Sequence, residues 1–274
     1  MKKFLALLEV EFRTVVPILL GIFGFLSALS MWLFYTLSEE MSFELIGQLS
    51  NDFTVADFVL ASGGVTLVEI MNRNFSQFHY LVFMFSLFLL IGIISFGLWY
   101  KEWFGKSKRI YFLLSLRGER FTISLAKLVT IVASTWIFYG IILINLFIGA
   151  IIARTILPDG IMATNLIQGV LLSGNSMMAI VFPVSLSHFL YKTLFIVAIF
   201  NAISCWILMD RSKRIFGFIA GMAYCIALLA IFIRTQNMWL FYDERILVDW
   251  GFVLIANVMS LAINYFLINK KISI

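Results

Sequence analysis

The chain has 274 residues, 62% hydrophobic and only 13% charged, with 29 phenylalanines and a formal net charge of +5. Soluble domains average about half apolar and about a quarter charged, so this balance excludes a water-soluble globule and marks an integral membrane protein. No charged, helix-patterned block is long enough to form a separate soluble domain, and the basic excess follows membrane topology rather than nucleic-acid binding, as its placement shows.

At the N-terminus, MKKFLALLEVEFRTVV places Lys2 and Lys3 before an apolar run. Glu9, Glu11 and Arg13 interrupt the core that a secretory signal needs, and no small-residue cleavage pattern follows promptly. Phe4, Leu7, Leu8 and Phe12 recur at helical spacing, with Lys3, Glu9 and Arg13 elsewhere. That pattern predicts an amphipathic elbow helix over 1–14, lying at the membrane surface.

Crossing a hydrocarbon core roughly 30 Å thick takes about 20 mostly apolar residues. Six stretches meet or approach this, approximately 15–35, 80–100, 128–153, 193–209, 215–233 and 250–268. Backbone groups must be paired in hydrocarbon, and these runs lack the alternation of barrel strands, so the expected fold is all-α, a single transmembrane domain with six helical spans. Residues 38–79 are expected to pack as short helices over the outer mouth. The segment 160–187 contains Asn165, Gln168, Gly174, Asn175 and Pro183 but no charge, and reads as an interfacial or re-entrant helix, with a seventh crossing as the alternative. Between the last two spans, Trp239, Leu240, Phe241 and Tyr242 suit the headgroup level.

Lysine and arginine are retained on the cytoplasmic side. With the N-terminus inside, the inner segments hold Lys2, Lys3 and Arg13, then Lys101, Lys106, Lys108, Arg109, Arg117, Arg120 and Lys127, then Arg211, Lys213 and Arg214, and finally Lys270 and Lys271. The acids Glu39, Glu40, Glu44, Asp52, Asp57 and Glu69 fall outside. Both termini are therefore expected in the cytoplasm, and the chain in a membrane as a multi-pass protein.

Little of the sequence suits bond-making chemistry. Gly105-Lys106-Ser107 is spelled like the end of a phosphate-binding loop, but Tyr100 stands where that loop needs its first glycine, and the segment follows a span rather than a strand. His79 and His188 belong to no metal-ligand or nucleophile pattern, so no catalytic or metal site is expected. Cys205 and Cys225 lie in apolar runs and read as packing residues. No acid occupies the centre of a span, which disfavours an ion-coupled carrier. Ser134 and Asn145 share a helix face, as do Asn257, Ser260 and Asn264 at i, i+3, i+7 spacing, and Asn201 joins them as a polar residue within a span. Such residues either hydrogen-bond between helices or line a translocation path.

The informative segment is Lys101 to Lys127, KEWFGKSKRIYFLLSLRGERFTISLAK. Its apolar middle, Ile110 to Leu116, lies between charges, which predicts a short amphipathic helix broken at Gly118. Such a helix lies on the membrane or docks into a groove of a cytoplasmic partner, and Glu102 and Glu119 favour the partner.

Here the chain resembles the permeases of type 2 ATP-binding-cassette (ABC) exporters, which carry an amphipathic elbow helix, six spans and a cytoplasmic loop after the second. The shared residues are Glu102, Gly105, Ser107, Leu113-Leu114-Ser115, Arg120, Ile123 and Lys127, while Arg117 stands near the usual proline and Gly118-Glu119-Arg120 replaces the usual small-residue turn. The resemblance implies a cytoplasmic coupling loop over 101–120, in which Lys101 to Ser115 contains a coupling helix resting in a groove of a separate ABC ATPase subunit, with Glu102, Trp103, Lys106, Arg109 and Arg117 at the contact. The short loop Asp210-Arg211-Ser212-Lys213-Arg214 supplies a second contact, through Asp210 and Arg211. Two permease copies, as a homodimer, work with two ATPase subunits that bind ATP and Mg, so this chain itself carries no cofactor and is not an enzyme. An apolar path, with Ser134, Asn145, Asn201, Asn257 and Asn264 as its polar points, suits export of amphipathic or hydrophobic peptides, antimicrobial or toxin-like. The alternatives are export of drugs or lipids and, in another class, a secondary carrier or a membrane subunit without transport.

Overall fold

The structure, a computed structural model, describes residues 2–49, 54, 55, 59, 64, 65, 92–100, 120–162, 185–213, 215–239 and 241–271. The described residues are helical apart from connections and one isolated parallel bridge between Val65 and Met162. We number the helices α1 (Lys2–Leu49), α2 (residues 92–100), α3 (Phe121–Ile156), α4 (Leu186–Lys213), α5 (Ile215–Gln236) and α6 (Tyr242–Phe266), the last continuing as a π-helical turn over Leu267–Lys271. Among the described residues, five of them, α1 and α3 to α6, are long and apolar enough to cross a membrane. The protein is thus an all-helical, multi-pass membrane chain by the length and composition of its helices. Of the second expected span, 80–100, residues 92–100 are helical and the rest lie outside the described residues, as do 163–184 of the uncharged segment 160–187.

The expected elbow helix and first span lie on one helix. α1 has 48 residues, about 70 Å at about 1.5 Å per residue, and runs through Pro17, which withholds one backbone donor without ending it. Leu7, Glu11, Val15 and Leu19 recur every fourth residue and are all buried. Glu9 and Arg13, on the opposite side, form an exposed ion pair at 2.8 Å.

The chain forms two units. The first holds residues 1–17, 89–135 and 186–274. In it α4 and α5, separated by a single residue, pack as a close hairpin. A Cβ on Gly217 would collide with the Met209 carbonyl, and one on Gly221 would come within 2.6 Å of the Trp206 ring, so these glycines let the two backbones touch. Phe195, Phe232 and Phe252, with ring centroids 5.2 and 5.6 Å apart in succession, join α4, α5 and α6, and Trp250 meets Tyr191 at 5.7 Å. Outward, α5 shows Ile219, Met222, Ile226, Leu229 and Ile233, an apolar surface that lipid can cover.

The second unit comprises residues 18–88 and 136–185. Within it Phe34 of α1 lies against Gly149 of α3 so closely that a side chain at that glycine would meet the ring. The Val65 amide donates to the Ile161 carbonyl at 2.8 Å, with Val65 and Ile161 fully buried and Gly64 and Gly160 in left-handed conformations (φ 86° and 85°) that glycine adopts without strain.

Candidate functional site

Most of the residues expected at an ATPase contact, Glu102, Trp103, Lys106, Arg109 and Arg117, lie outside the described residues. What the structure describes is the root of their segment, α2 through residue 100 on one side and α3 from Phe121 on the other.

At that root stands Lys127. Its side chain is fully buried, and its Nζ donates to Glu11 Oε1 at 2.7 Å and to the Leu98 carbonyl at 2.8 Å. The same ammonium lies 5.1 Å from the centre of the Trp99 ring, whose face attracts a cation. Trp99, also buried, passes the connection on, its Nε1 donating to Ser204 Oγ at 2.8 Å. One lysine therefore joins α1, α2 and α3, and through Trp99 reaches α4. A buried ammonium is tolerated only when its donors are satisfied and a counter-charge is adjacent. Both conditions hold here, with Glu11 itself 5% exposed.

Sequence reasoning passed over Glu11, Trp99, Lys127 and Ser204 as a group. Lys127 was counted with the cytoplasmic charges and Glu11 with the residues that interrupt a signal core. A signal was present for each. Glu11 falls one turn after Leu7 and one before Val15, an acid within an apolar stripe, and Lys127 lies among Ile123, Ala126, Thr130 and Ile131, all buried. A charge on an apolar face implies a partner, though not which one.

The second expected contact differs in form. Residues 210–213 continue α4 as helix instead of making a loop, because the chain needs no length to turn into α5 when Gly217 lies against Met209. Asp210 and Arg211 are about one-third exposed, with Arg211 Nε 3.5 Å from Asp210 Oδ2.

Ser134, Asn145, Asn201, Asn257 and Asn264, the polar points expected along a path, are all buried. Asn201 Nδ2 donates to Asn257 Oδ1 at 3.1 Å, Asn257 Nδ2 to the Leu194 carbonyl at 2.9 Å, and Asn264 Nδ2 to the Asn201 carbonyl at 3.3 Å, so these amides join α4 to α6. Tyr224 of α5 meets Ser260 of α6 between their hydroxyl oxygens at 2.7 Å. Cys205 and Cys225 are free thiols that donate to the carbonyls of Ser260 and Ala202. Ser134 turns back on its own helix, donating to the Thr130 carbonyl at 2.7 Å, and Asn145 is buried with an Oδ1 that accepts no hydrogen bond from the described residues. Among the described residues no group of three or more His, Cys, Asp or Glu is placed to hold a metal.

Compared with known proteins, no family model matches the chain, and neither a curated protein nor a solved structure matches it significantly.

Proposed function

We propose that the chain is the transmembrane permease of an ATP-driven exporter of the type 2 ABC kind, acting as a homodimer with two ATPase subunits and moving amphipathic or hydrophobic peptides out of a bacterial cell. One observation carries this reading more than any other. Lys127 bonds the Leu98 carbonyl, so the described residues that flank the basic segment 101–119 in sequence, those of α2 and of the start of α3, are joined to each other. A segment charged at both ends and apolar in its middle, with its flanks joined in this way, suits contact with a partner that pushes on it. Asp210 and Arg211, at the turn from α4 into α5, lie on the same cytoplasmic side in this topology.

The cycle follows from differential binding. ATP closes the paired ATPases, which grip the segment differently in the inward- and outward-open forms, and that difference in binding free energy moves the equilibrium. The cargo class rests on the polar groups buried among the spans, which are amides and hydroxyls, with Glu11 and Lys127 neutralising each other.

Co-purification tests the proposal. The chain extracted in mild detergent is expected to retain a soluble ATPase subunit, and vesicles holding both to accumulate a fluorescent cationic amphipathic peptide only with ATP. Reversal of Glu102 together with Arg109 and Arg117 is expected to leave hydrolysis and abolish accumulation. An isolated chain with no ATPase partner, in vesicles that show no ATP-dependent uptake, removes the exporter reading.

A further inference from the structure

We infer that the Glu11–Lys127 pair is a strut that ties the root of segment 101–119 to the N-terminal helix, and through Trp99 and Ser204 to α4, so that a push on the segment displaces these helices together. The inference rests on the exporter reading for its transmission step and on geometry alone for the strut.

The physical case is directional. Apolar contacts between helices are non-directional, and by themselves allow one helix to slide or rotate against another. Lys127 adds two short bonds, to a carboxylate on α1 and to a backbone carbonyl on α2, which fix both the spacing and the rotation of those helices against α3. The buried position strengthens the constraint, since a slip that separated the charges would leave each of them unpaired away from water. Trp99 extends it. The ring that faces the ammonium is itself held by its indole donor on Ser204, so α2 cannot rotate without disturbing both contacts. Glu11 therefore makes the N-terminal helix part of the transmitting frame rather than a float on the membrane surface. Lys127 is a positioning residue, acting on transport through the part of α2 that it holds.

The test uses the full chain in lipid nanodiscs, alone and with its ATPase subunit, in three variants. Lys127→Met removes the strut, Glu11→Gln keeps an acceptor without the charge, and Trp99→Phe removes only the donor to Ser204. Without the ATPase, hydrogen exchange at residues 96–100 is expected to quicken by about tenfold or more in Lys127→Met and by less in Glu11→Gln, with α5 amides unchanged. With the ATPase, hydrolysis is expected to stay within about twofold of the parent in all three, while peptide export falls about tenfold in Lys127→Met and about threefold in Trp99→Phe. A purely structural role lowers hydrolysis and export in proportion, and that result overturns the transmission. Unchanged exchange at 96–100 in Lys127→Met overturns the strut itself. Should Lys127→Met fail to assemble, Glu11→Gln and Trp99→Phe carry both measurements with the same criteria. If the parent chain binds no ATPase, the exporter reading and the transmission fall together, while the exchange measurement still decides the strut.

Discussion

Asn201 and Asn257 face each other across the α4–α6 contact with Nδ2 to Oδ1 at 3.1 Å, and Asn257 spends its own amide donor on carbonyls of both helices. In hydrocarbon such bonds hold helices together, worth about 0.6 kcal/mol on average and about 1.7 kcal/mol at most. A double-mutant cycle with Asn201→Leu and Asn257→Leu is expected to give a coupling of about 1 kcal/mol in reversible unfolding from mixed micelles. In a chain freed of Cys205 and Cys225, a cysteine at position 257 is expected to resist a water-soluble maleimide in the resting state. Rapid labelling there would place Asn257 on a water-filled path.

Removing one member of the buried ion pair is expected to cost about 3–5 kcal/mol, since it strands the other charge. Glu11→Leu and Lys127→Met should each lower the unfolding midpoint strongly. The double variant should recover most of the loss, because an apolar pair of similar volume restores packing without desolvating a charge. Additive losses in the double variant would show that the two residues act independently.

Glycine positions offer an internally controlled comparison. Gly217→Ala would drive a methyl into the Met209 carbonyl and Gly221→Ala into Trp206, so each is expected to destabilise by about 1–3 kcal/mol. Gly140→Ala, in α3 with open space around it, is expected to be neutral or to stabilise by up to about 1 kcal/mol, since alanine is the better helix former. Thermal unfolding of the three variants in one detergent decides the order.

Trp239 stands fully exposed, with Phe241 82% exposed, in the connection between two candidate spans. The connection is held on its flanks, where Arg245 donates to Gln236 at 2.7 Å and Gln236 to Asp249 at 2.8 Å. An indole presented this way at the end of two apolar helices belongs at the lipid headgroups. Lipids brominated near the glycerol are expected to quench a share of the fluorescence that disappears in Trp239→Phe. Quenching of that share by aqueous iodide alone would place the indole in water.

How much of this was legible in the sequence varies from place to place. The stretch 215–233 was read as a span and emerges as Ile215–Gln236, and 128–153 lies within Phe121–Ile156, because hydrophobic length is a local property that neighbouring residues spell out in order. The expected elbow over 1–14 and the first span lie on the one helix Lys2–Leu49. Residues 210–213, expected in a short contact loop, are helical, because helix and charge are compatible at the end of a span.

The sequence by itself determined that this is an apolar, helical, multi-pass membrane protein, since composition and run length answer to the bilayer rather than to any particular neighbour. Only the tertiary structure decided that Glu11 and Lys127 belong to each other, across a separation of 116 residues, and that Trp99 and Ser204 extend their connection to a fourth helix. The physical reason is that a charge carries no address. Burial demands a partner, and which partner is supplied depends on the packing that brings the helices together.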